Sequence, residues 1–174
     1  SLASYNNIGL RFNGQKDNFA LESELTLQNS SGTSSKNDVS ASLFSFNLGY
    51  KPTGTRFLNS VFLGLDRVSG DDSSTETAEG FSKEFGARHK HHGFYDYNFH
   101  KKYFGHGHDG LNEINAKANI DILKRTNLLV ALHNFKSAVK DIYYGSEVNF
   151  IFKTKHNEEI SSEIGSVFYF PDQG

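Results

Sequence analysis

The chain has 174 residues and a formal net charge of −2. That length fits one domain or part of one, with neither a basic excess for nucleic acid nor an acidic tail. It contains no cysteine, which excludes disulfides and thiolate metal sites. Mean hydropathy is −0.54, and no stretch approaches the roughly eighteen consecutive apolar residues of a spanning helix. Ser1 opens a polar run rather than a signal peptide, so the chain reads as processed or excised from a longer one.

Proline occurs only at Pro52 and Pro171, against 16 glycines and 14% aromatic residues. The apolar residues are dispersed through alternating segments instead of gathered into runs, which predicts strands with one apolar and one polar face. In "SYNNIGLRFNG", Ile8, Leu10 and Phe12 oppose Asn7, Gly9 and Arg11. After the turn "GQKDN", "FALESELTLQ" sets Phe19, Leu21, Leu25 and Leu27 against Ala20, Glu22, Glu24 and Thr26. The polar loop "NSSGTSSKND" leads into "VSASLFSFNLGY", with Phe44, Phe46, Leu48 and Tyr50 on one side. A tight turn, "KPTGT", precedes "RFLNSVFLGLDRV", where Val61, Leu63 and Leu65 oppose Ser60, Gly64 and Asp66.

A span of some forty residues, about 69–109, then shows little periodicity. Beyond it, "NEINAKANIDILK" alternates Ile114, Ala116, Ala118, Ile120 and Ile122 with Asn115, Lys117, Asn119 and Asp121. Both faces of "TNLLVALHNFKS" are partly apolar. "DIYYGSEVNFIFKTK" sets Tyr144, Val148, Phe150 and Phe152 against Gly145, Glu147, Asn149 and Lys153. "EEISSEIGSVFYF" sets Ile160, Ile164, Phe168 and Phe170 against Glu159, Glu163, Gly165 and Tyr169.

Eight strands with mostly short turns at one end and longer loops at the other predict an all-β, antiparallel up-and-down transmembrane barrel, or a segment of a larger one. The apolar faces then meet lipid. The polar faces line a wet lumen through Arg11, Glu22, Glu24, Asp66, Lys117, Asp121, Glu147, Lys153 and Glu163. Tyr5, Tyr50, Phe57, Tyr143, Tyr144, Phe168 and Phe170 lie near strand ends, where interfacial girdles form. A soluble sandwich or lipocalin-like carrier also alternates, but with its polar face outward. An eight-stranded barrel closed on itself is filled by side chains and conducts little.

One composite pattern is more specific. Leu63, Gly64, Leu65 and Asp66 end a strand, followed by Ser69, Gly70 and Asp71, and later by His89, Lys90, Gly93, Phe94 and Asp96. This resembles the bacterial alginate-export family of outer-membrane β-barrels. The hairpin "IGLRFNGQKDNFALESELTLQ" and the terminal "GSVFYFPDQG" resemble that family's flanking elements. The resemblance implies a channel in the outer membrane of a Gram-negative bacterium, equivalent here to the C-terminal part of a longer barrel. Its implied contacts are outer-membrane lipid, a polar solute or polysaccharide, and other envelope proteins, with no nucleic acid and no cofactor. The residues at about 69–109 would form a long extracellular loop carrying the motif residues Gly70, Asp71, His89, Lys90, Gly93 and Asp96, with His89 hydrogen-bonded at its base.

The loop carries His89, His91, His92, His100, His106 and His108. His91 and His108 with Asp109 offer metal donors, but at a spacing too loose to define a site or an ion. Asp71 and Asp72 lack the spacing of a calcium loop and read as turn chemistry. Neither the Glu22/Glu24 pair nor any Ser-His-Asp combination carries a recognisable catalytic arrangement, so no enzyme is expected. Glutamates outnumber basic residues on the inferred lumenal face, which predicts a preference for cations or neutral sugars over a polyanion.

Overall fold

The structure is a computed structural model that describes residues 6–30, 38–82, 92–94 and 107–172. Its elements are β1 (Asn6–Lys16), β2 (Phe19–Ser30), β3 (Val39–Tyr50), β4 (Leu58–Val68), β5 (Leu111–Leu123), β6 (Thr126–Lys136), β7 (Tyr143–Lys155) and β8 (Ser161–Pro171). Each strand pairs antiparallel with the next in a single sheet ordered β1 to β8. β1 and β8 do not pair with each other, so this up-and-down sheet is open.

The register aligns the alternation of all eight strands. On one face, Leu21, Leu48, Leu63, Ala116, Leu132, Val148 and Phe168 are consecutive cross-strand partners. Phe46, Leu65 and Ile114 run alongside them. These side chains face outward: Leu63 is 65% exposed, Ile114 64% and Phe168 52%. No second sheet covers them among the described residues. The opposite face carries the row Asn13, Glu22, Asn47, Gly64, Asn115, His133, Glu147, Tyr169. Its middle members are buried. Polar groups therefore lie inside and apolar groups outside, the reverse of a water-soluble sheet.

A small apolar cluster caps the inner face next to the β4–β5 connection. It joins Val39, Ala41, Val68, Leu111 and Phe135 to Phe81 of that connection. Ala78 bridges to Val39 and covers the part of β3 that extends past β4. Ser69 accepts a bond from Ser42 N at 2.8 Å and donates to Glu79 O at 2.6 Å.

Three local expectations change. β1 continues through Gly14, Gln15 and Lys16, and the turn is Asp17-Asn18 alone. Asp17 takes a positive φ of 51°, which a short polar side chain tolerates better than most. Ile160 lies in the β7–β8 turn, its carbonyl accepting from His156 N, and not in β8. Tyr144 leaves the expected aromatic girdle and packs against the inner cluster. A register shift at Phe135/Lys136, with Gly145 at φ 139°, turns it inward. Tyr5 lies outside the described residues.

Candidate functional site

The centre of the inner face is a buried polar network built from three strands and one segment of the long connection. β4 contributes Asp66, β5 contributes Glu113 and Asn115, and β6 contributes His133. Cross-strand pairing sets Asp66 beside Glu113 and Asn115 beside His133. Glu113 is fully buried, and each of its oxygens meets one imidazole. His92 Nδ1 lies 2.6 Å from Oε2, and His133 Nδ1 lies 2.6 Å from Oε1. The amide of Asn115 donates to Glu113 Oε1 at 3.2 Å and to Asp66 Oδ2 at 3.4 Å. A carboxylate at such depth persists only when hydrogen-bonded and charge-compensated, and here donors converge on it from three sides.

His92 belongs to residues 92–94, which fold onto the inner wall. Phe94 N donates to Glu147 Oε1 at 2.7 Å. Gly93, at φ 79°, passes so close that an added Cβ would lie 2.4 Å from the same carboxylate oxygen. Upstream, Ser82 N donates to Gln28 Oε1 at 2.8 Å, and Gln28 Nε2 returns a bond to Ser82 O at 3.0 Å. Asp71 braces the base of the connection by accepting from Glu79 N at 2.9 Å and Gly107 N at 2.6 Å. Gly70 lies against the Asp109–Gly110 backbone, with no room for a Cβ.

The charged positions expected along a lumen separate into distinct groups. Arg11, Glu22, Glu24 and Asp66 line one cavity of about 100 Å³ together with His92. Asp121, Lys153 and Glu163 line a depression of about 540 Å³ among the short turns, where Lys153 and Glu163 form a 3.0 Å ion pair. Asp121 accepts from Asn59 Nδ2 at 2.7 Å. Lys117 stands between Phe62 and Ala131 in the register, and Glu147 is bound to the inward segment. His89, Lys90, Asp96, His91, His100 and His106 lie outside the described residues. His108, whose carbonyl accepts from Asp71 N, belongs to the brace at the loop base.

The alternation does not single out Glu113 or His133 as site residues, and His92 is one of six histidines in the loop. Glu113 shares the parity of Asn115 and Lys117, so its inward position was readable from spacing. His133 sits in the strand whose two faces are both partly apolar. His92 is set by the fold of the connection, which has no period. Compared with protein-family models, curated proteins and solved structures, the chain matches none.

Proposed function

We propose that this sheet forms wall of an outer-membrane β-barrel of the alginate-export kind, through which polar solutes or oligosaccharides pass passively. The observation that carries the proposal is the reversed polarity: a continuous apolar belt exposed on one face, and buried carboxylates, imidazoles and amides on the other. Strands of 11–13 residues measure about 36–43 Å at ~3.3 Å per residue, enough to cross the hydrocarbon layer when tilted. Lipid tolerates no unpaired backbone edge, so β1 and β8 must be joined to each other or to further strands.

Within such a wall the inward segment 92–94 narrows the passage, and the cavity lined by Arg11, Glu22 and Glu24 lies beside it. The acidic majority on this face favours cations or neutral sugars over polyanions. Pinning of the segment to Glu113 and Glu147 also supports a second reading, a non-conducting barrel whose loops bind a partner.

Planar-bilayer recordings on the full protein distinguish the two. A channel gives stepwise conductance, with a reversal potential under a salt gradient that shifts in Glu22→Gln/Glu24→Gln. An unchanged reversal potential removes those glutamates from the selectivity-setting wall, and absence of conductance favours the binding barrel. A purified chain that stays monodisperse without detergent refutes membrane residence altogether.

A further inference from the structure

We infer that Asp66, His92 and Glu113 form a binding site for a divalent transition-metal ion, one that clamps the β4–β5 connection to the sheet. One donor atom from each residue lies within 4.8 Å of the other two, and all three residues are buried. Ligands about 2.0–2.2 Å from a tetrahedral ion stand roughly 3.3–3.6 Å apart, so small rotamer adjustments complete the shell. An imidazole beside two carboxylates suits zinc or a neighbouring first-row ion, whereas calcium and magnesium take oxygen ligands. His133, on the second oxygen of Glu113, orients that carboxylate from behind, as outer-shell partners of metal ligands do.

Charge supplies one independent reason. Glu113 already holds two imidazoles, but Asp66 sets a second buried carboxylate beside it, and a cation between the two would offset the charge of that pair. Asn115 supplies another. It is 2% exposed and its Oδ1 has no hydrogen-bond partner. Its Nδ2 meets both carboxylates, Glu113 Oε1 at 3.2 Å and Asp66 Oδ2 at 3.4 Å, so the amide already reaches the spot between them. When a cation replaces those two N–H bonds, half a turn of the amide presents the unpartnered Oδ1 to it. Asn115 then becomes the fourth ligand.

The site does not depend on the sheet lining a pore, and its test needs no conductance. The full protein, chelator-treated and refolded in detergent, is titrated with Zn²⁺ by calorimetry and with Co²⁺ by visible absorption. Expected are one saturable equivalent, little competition from Ca²⁺ or Mg²⁺, and a tetrahedral-type Co²⁺ spectrum. His92→Ala and Asp66→Asn should each weaken binding by more than about tenfold, with unchanged far-UV circular dichroism. His106→Ala/His108→Ala should bind as wild type. Wild-type affinity in either His92→Ala or Asp66→Asn overturns the site. Loss of binding in the His106/His108 pair also overturns it, because the loop histidines would then be the ligands. Absence of a saturable equivalent in the wild type overturns it outright.

Discussion

Gly93→Ala tests whether residues 92–94 are held against the inner wall. Two costs add at this position. A side chain at φ 79° costs about 1–2 kcal/mol in the left-handed region. The new Cβ would also stand 2.4 Å from Glu147 Oε1 and 2.8 Å from Cδ, so the carboxylate must retreat by about 1 Å to reach ordinary contact. That retreat breaks the 2.7 Å bond from Phe94 N, and a hydrogen bond to a charged acceptor contributes about 1.5–3 kcal/mol. The sum is about 2.5–5 kcal/mol, confined to the segment, so amide exchange at Phe94 should accelerate at least about fiftyfold. Far-UV circular dichroism should not change. Gly54→Ala is the control, because Gly54 has φ 79° but nothing within 4 Å, leaving only the conformational cost. Exchange at Phe94 within about threefold of wild type would refute the clamp.

Glu113→Ala strips the hydrogen-bond acceptor from two buried imidazoles and should lower unfolding stability by about 3–5 kcal/mol. Glu22→Ala, on the exposed part of β2, should stay within about 0.5 kcal/mol; equal urea midpoints for the two variants would contradict the network. Ile114→Lys puts an ammonium on the exposed apolar belt and should cost about 2–4 kcal/mol of folding into lipid vesicles if that belt lies at mid-bilayer. Insertion equal to wild type would place the belt elsewhere. The Asp72 carboxyl lies below its ordinary 3.8 through the Ser74 backbone N–H and then the Ser74 hydroxyl. The hydrogen bond and charge of Lys136 lower that of Asp141 from the same value. A depressed carboxyl contributes stability above pH 3.8 that is lost as pH falls through the folded value. Carboxyl NMR midpoints at or above 3.8 for these two residues would contradict both contacts.

The strands and their faces were legible in the sequence because alternation is a local property. Ile114, Ala116 and Ala118 opposite Asn115 and Lys117 already define an apolar and a polar side, and antiparallel pairing between neighbours leaves little freedom in their order. "VSASLFSFNLGY" coincides with β3 from Val39 to Tyr50. The turn at Asp17-Asn18 departed from expectation because Gly14 and Lys16 are as compatible with a strand end as with a loop. Pairing of Gly14 with Leu21 and of Lys16 with Phe19 decides between them. Tyr144 could not be placed by parity, since a single register shift beside Gly145 reverses the face of a residue without altering the pattern that surrounds it.

The network at Glu113 is a property of the tertiary structure alone. Asp66, Glu113 and His133 lie 47 and 20 residues apart and meet because three strands share one register. His92 joins them only because Ser69, Asp71, Ser82 and Phe94 bind the connection back onto the sheet. The sequence marks those histidines as numerous but does not distinguish His92 from His91. The burial of His92 depends on contacts between residues distant in the chain, and local periodicity carries no record of those contacts.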